Sequence, residues 1–200
     1  MLALSGVFNL VDAAVNVWMM GELRVGMSLE AAERIDATAL GLTVTRFGLV
    51  IVTAIAFLTW LHRSVANARA LGYAMPCSPA AAVWHWFIPC YNLFWGYKIG
   101  QELWRASVRS SRDELTASTS GVVAGWWITW VGAGIIDRAS SRIATLQPTV
   151  ESLENQMLVG VISSGMLVVS AFLGVMMVRA ITSAQEQLHH GEAARPPTTF

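Results

Sequence analysis

Two stretches of this chain, Leu115 to Ile136 and Asn155 to Val178, carry no charge. At a rise of about 1.5 Å per residue, ~20 helical residues match a hydrocarbon core of roughly 30 Å, so each stretch is long enough to cross a bilayer. Hydrophobic residues make up 54% of the 200-residue chain and charged residues 13%, a more apolar balance than soluble domains carry. The formal net charge is zero. No global field therefore recruits nucleic acid or acidic substrates, and the placement of individual basic residues becomes the informative quantity.

Two further segments read as spans. Residues 1–20 are just long enough to cross, and their polar residues Ser5, Asn9, Asp12 and Asn16 recur at spacings of four, three and four. That spacing puts them on one helical stripe, which must face protein or water rather than lipid. No basic n-region or small-x-small cleavage site accompanies this run, so a cleaved signal peptide is not expected. Residues 37–61 hold the uncharged sequence FGLVIVTAIAFLTWL, with Arg46 immediately before it and His62, Arg63 and Arg69 after it. Ser28 is placed to cap the helix leading into this span, with Glu30 in its first turn.

Between the second and third spans lies the most unusual stretch. Seven of the fourteen residues from Trp84 to Tyr97 are aromatic, with Pro89 in their midst. Proline breaks the run into two short helices, neither able to span alone. A hairpin over residues 79–108, re-entrant or lying in the interface, suits amphipathic rings at headgroup depth. A single kinked span over 80–100 is the competing arrangement. The connection between spans two and three holds six Lys and Arg (Arg63, Arg69, Lys98, Arg105, Arg109, Arg112), whereas the connections on either side hold two each. The positive-inside bias then makes the central connection and both termini cytoplasmic, and a fifth span would split the basic residues across the bilayer. The expected fold is an all-α integral membrane domain over 1–182. It has four transmembrane helices (1–20, 37–61, 115–136, 155–178) plus a cytoplasmic-side aromatic helical hairpin. Residues 137–154 read as a polar connection containing Pro148 and a short helix, VESLENQM, and 183–200 as a disordered polar tail.

The segment Trp86-Phe87-Ile88-Pro89-x-x-Asn92-Leu93, followed by Glu102-Leu103-Trp104-Arg105-Ala106-Ser107, resembles the signature of a bacterial membrane family catalogued as domain of unknown function 4328. Upstream, Phe57-Leu58-x-Trp60-Leu61-His62-Arg63 and Asn67-Ala68-Arg69-Ala70-Leu71-Gly72 are similar to the same family's approach to that signature. The resemblance covers about residues 40–180. It implies a multi-span bacterial inner-membrane protein with no assigned reaction, substrate or cofactor. His85 and Cys90 within the signature, and a first span starting at Met1, depart from the pattern.

Asp12 and Arg46 are the sharpest candidate pair. Each stands about 12 Å from the same end of its span, and an isolated charge at that depth costs at least ~2.5 kcal/mol, so pairing is expected. With Asn9 and Asn16 they line a solute pathway in one reading and clamp two helices in the other. Glu102 and Arg105 have the spacing of an intrahelical ion pair, and Trp104 that of an interfacial anchor. His62 and His85 lack an evident facing ligand for a haem. Cys77 and Cys90 with His85 are too few for zinc, and His189-His190 reads as a solvated pair. No cofactor, nucleophile motif or phosphate loop is evident. Three functions follow: a non-catalytic module whose hairpin contacts lipid, a membrane-protein partner or a second copy; a small oligomeric transporter or channel subunit using the polar stripe; and, least supported, a membrane enzyme.

Overall fold

The computed structural model describes residues 1–25, 28–108, 120–147 and 149–193. They are helical: α1 (Leu2–Val25), α2 (Leu29–Ala70), α3 (Pro79–Trp84) with a 3-10 turn (His85–Phe87), α4 (Asn92–Ser107), α5 (Gly121–Leu146) and α6 (Val150–Ala193). Among the described residues three helices, α1, α2 and α6, are long and apolar enough to cross a membrane. The expected third span is not among them. Its first residues, 115–119, lie outside the described part, and α5 carries four glycines and three tryptophans before Asp137 and Arg138, which dilutes its hydropathy.

Element boundaries follow local chemistry. α2 starts directly after Ser28 and ends in a Schellman motif, Tyr73 N–H donating to Ala68 O and Gly72 N–H to Arg69 O, both at 3.0 Å. Gly72 there has φ +83°, which a glycine adopts without steric cost. Ser78 caps α3 by accepting from Ala81 N–H at 3.2 Å, with Pro79 at the first helical position. Cys90 closes the break at Pro89 with φ +64°, a left-handed conformation uncommon outside glycine.

Two expectations change at the C-terminal half. The supposed polar connection from Asp137 is mostly helix: α5 runs on to Leu146 and α6 begins at Val150. The stretch before Pro148 holds no helix breaker, and Thr149 and Ser152 form a reciprocal cap, each side-chain oxygen accepting from the other's backbone N–H at 3.1 and 3.0 Å. VESLENQM is therefore the first two turns of α6 rather than a separate helix. α6 also continues to Ala193, well into the stretch expected to lack order, with Ile181, Ala184 and Gln185 buried. Those side chains supply the packing that composition alone did not reveal. Residues 194–200 lie outside the described part.

The chain divides into two compact units, Met1–Ala54 with Ile128–Phe172, and Ile55–Trp127 with Leu173–Phe200. In the first unit α2 touches its neighbours along one stripe. Leu42, Arg46, Leu49 and Thr53 are half-buried, while Leu40, Val44, Phe47, Val50 and Ile51 are exposed. In the second unit the core is large and aliphatic: Leu61, Val65, Ile99, Leu103, Val123, Met177 and Ile181 are all at most 1% exposed.

Candidate functional sites: a buried carboxylate and an aromatic hairpin

In the first unit the stripe on α1 is organised around Asp12, which is 4% exposed in the middle of the helix. Its Oδ2 accepts from Arg46 Nη2 at 2.5 Å and from Ser164 Oγ at 2.7 Å. Asn16 Nδ2 donates to the Asp12 backbone carbonyl at 2.8 Å and, at 3.5 Å, to the same carboxylate oxygen. The carboxylate thus draws α1, α2 and α6 to one point with charge-assisted bonds. Asn9, also buried, turns back to Ser5 O at 2.8 Å, and Ser5 Oγ lies 3.0 Å from Thr53 Oγ1. The pairs 12–46 and 5–53 register α1 antiparallel to α2. Arg46 is not fully enclosed: its side chain is 43% exposed.

Ser164 is the residue that sequence reasoning missed in this site. A serine in an apolar run is equally a small contact residue, and its hydroxyl role shows only once α6 is registered on α1. That register has a second marker at Gly160, where an added Cβ would stand 3.0 Å from Asn16 Oδ1.

The second unit holds the family-like residues. α3 and α4 flank a sharp turn, and the rings between them interlock. His85 lies 4.3 Å from Trp95 and 4.9 Å from Tyr91 by centroids, while Tyr91 stacks on Trp95 at 5.4 Å. Trp86 meets Phe57 and Trp127 edge-on at 5.4 and 5.7 Å, the geometry aromatic quadrupoles prefer. Trp127 Nε1 donates to Leu93 O at 3.1 Å. α4 approaches α5 through two glycines: a Cβ on Gly96 would fall 2.2 Å from Trp127 Cζ3, and one on Gly100 2.9 Å from Val123 Cγ1. The two form a Gly-x-x-x-Gly contact, whereas a second pair at the same spacing, Gly121 and Gly125, is only half used. Gly125 abuts Leu173, and among the described residues nothing stands within 4 Å of a Cβ added at Gly121.

The two ends of the hairpin are both tied to the last turns of α2. Arg69 Nη1 donates to Cys77 O at 3.2 Å before α3. After α4, Gln185 Nε2 donates to both Ser64 O and Ser107 Oγ at 3.0 Å. Ser107 is 1% exposed and Gln185 5%. Gln101 clamps Ser120 by two bonds, to its carbonyl at 3.0 Å and from its N–H at 2.8 Å. Glu102 and Arg105 pair at 3.0 Å on the half-exposed side of α4, beside half-buried Trp104. Arg109 and Arg112 lie outside the described residues.

The tip presents its apolar side chains outward. Trp84, Phe87, Ile88, Tyr91, Leu93 and Phe94 are all exposed, Phe94 to 76%, and Pro89 is exposed with them. Asn92 opens α4 half-buried. Inside the hairpin, His85 Nδ1, Asn92 Oδ1 and Trp95 Nε1 are screened from solvent and make no hydrogen bond to the described residues. Cys77 and Cys90 are free thiols, the former half-buried and the latter exposed. Burial pushes the Cys77 thiol above its usual range, with Arg69 opposing the shift. His62 is exposed at the end of α2, and His189 and His190 are exposed on α6. Among the described residues no group of three or more His, Cys, Asp or Glu is placed to hold a metal.

A family model described as Domain of unknown function (DUF4328) matches residues 24–183. The match takes in Arg46, Ser164 and the whole hairpin, and begins after Asp12. No curated protein and no solved structure matches the chain.

Proposed function

The chain belongs to the domain of unknown function 4328 family, and on that footing we propose that it is a non-catalytic module of a bacterial cytoplasmic membrane. In this reading α1, α2, α5 and α6 are four spans with both termini inside, and the aromatic hairpin enters the inner leaflet and returns. It acts through contacts of that hairpin with lipid, with a membrane-protein partner or with a second copy, and not with nucleic acid.

One observation carries the reading. Both ends of the hairpin are fastened to α2 between Ser64 and Arg69, beyond its apolar run. Trp86, near the tip, rests on Phe57, two turns earlier and inside that run, which at 1.5 Å per residue is about 10 Å deeper. The exposed rings at the tip would then lie among acyl chains and headgroups, where Trp and Tyr are favoured. Lys98 and Arg63, both exposed, would meet anionic headgroups. The test is cysteine accessibility in sealed vesicles, in a background with Cys77 and Cys90 replaced by Ser. Arg69→Cys and Val108→Cys are expected to react from the same side, and reaction from opposite sides would sink the re-entrant reading.

A second reading, solute passage by an oligomer, draws support from a different place. Asp12 is buried at mid-helix and bonded to Arg46 and Ser164, and ionisable groups at that depth commonly mark ion or substrate paths. Solute flux in liposomes that disappears in Asp12→Asn is its expected signature.

A further inference from the structure

The last turns of α5 place charge beside the uncharged run of α6. α5 and α6 are antiparallel neighbours: Gln156 Nε2 donates to Ser141 Oγ at 3.4 Å, and a Cβ on Gly132 would stand 2.9 Å from Met166 Cε. Continuing that register sets Asp137 and Arg138 level with the α6 turn at Gly160 and Val161. That turn lies inside the uncharged run of α6 and opposite Asn16 of α1. Arg138 reaches deeper still. Its Nη1 donates to Gly134 O at 2.9 Å, and a Cβ on Gly134 would lie 2.8 Å from that nitrogen. The absent side chain at 134 lets the guanidinium lie flat along the helix, one turn further from the connection to α6.

Asp137, Arg138, Ser141, Arg142, Thr145 and Leu146 line an open groove of about 540 Å³. Arg138, Ser141, Arg142 and Thr145 recur at three- and four-residue spacing, so they form one stripe. On the other side of the helix Ile136 and Ile143 are exposed apolar residues. Arginines at this depth are retained where they face water, protein or backbone carbonyls rather than lipid. Arg138 and Arg142 outweigh Asp137 by one positive charge. Ser141 Oγ, which accepts from Gln156, keeps its own proton to donate. Guanidinium forks with a hydroxyl between them match the oxygens of a phosphate or carboxylate.

We infer that this groove is a water-filled vestibule, opening toward the α5–α6 connection, in which Arg138 and Arg142 bind an anionic oxygen group, phosphate or carboxylate. It rests on the reading of α6 as a membrane span and is independent of the hairpin.

The test uses the full chain in phosphatidylcholine nanodiscs, with Cys77 and Cys90 replaced by Ser and single cysteines at Ser141, Ile136 and Thr149. Charged methanethiosulfonate reagents are the probes. Ser141→Cys should react at least tenfold faster than Ile136→Cys and approach Thr149→Cys at the connection. The anionic reagent should be favoured over the cationic one several-fold, and adding Arg142→Gln should abolish that preference. Protection by inorganic phosphate would identify a soluble ligand, and protection by added phosphatidylglycerol a lipid headgroup; either supports the site, and protection by neither overturns it. Ser141→Cys as slow as Ile136→Cys overturns the vestibule while leaving the span intact. Ile136→Cys as fast as Thr149→Cys overturns both.

Discussion

Around α1, what is buried among the described residues is small or polar. Asn9, Asp12, Ser163, Ser164 and Ser170 accompany Ala133, Ala144, Ala171 and a single larger side chain, Met19. Around α4 the buried set includes Trp95, Trp126 and Trp127 together with the aliphatic core, and its polar members Ser64, Gln101, Ser107, Ser120 and Gln185 bind backbone or each other. The first unit is built like a bundle in lipid, where apolar burial gives helices no preference for one another and hydrogen bonds with close backbone approach decide the packing. The second is built like a soluble core, with rings and branched side chains filling volume. One chain thus holds its helices by two chemistries, and each should fail to a different kind of insult.

The largest effect is expected from volume in the aromatic unit. Gly96→Ala puts a Cβ within the van der Waals radius of the Trp127 ring and should cost about 3 kcal/mol or more, because neither helix can withdraw without breaking the Trp127 bond to Leu93. Loss of the folded species on size-exclusion chromatography in detergent would register it, and an unchanged melting temperature would refute the close contact. Next comes charge in the polar unit. Asp12→Asn leaves Arg46 without its carboxylate and should cost about 2 kcal/mol, discounted because Arg46 is partly exposed. Adding Arg46→Gln should recover part of that loss in thermal melts, and an additive double mutant would show that the pair is not coupled.

The smallest effect sharpens the edge of the aromatic unit. Burial raises the Cys77 pKa, so its alkylation should rise with pH and reach half-maximum above the usual thiol range. Arg69 holds that pKa down. Arg69→Gln therefore raises it further, lowers the thiolate fraction at any fixed pH and slows alkylation by a small factor. Faster alkylation would mean that Arg69 acts by covering the thiol rather than by its charge.

The same contrast explains what could be read from the sequence. Asp12 and Arg46 were legible because opposite charges in two apolar runs at matched depth have few other destinations. Ser164 was not, since serine serves equally as a spacer. The break at Pro89 was legible from proline and its aromatic neighbours, but not the Gly96 and Gly100 contact, whose meaning depends on Trp127 lying opposite. The turns of α5 beyond Asp137 were misread as connection because polarity is a poor helix stop. The helix ends at Leu146, just ahead of Pro148 in the sequence, where a proline disfavours the helical conformation of the residue before it.

The turn at Cys90 carries one more consequence. A left-handed residue with a side chain costs of order 1 kcal/mol that glycine would not incur, so the hairpin closes against its own backbone preference. Relieving that position with Gly should lengthen the lifetime of the closed turn, which makes Cys90 a single-residue dial on how long the tip stays formed.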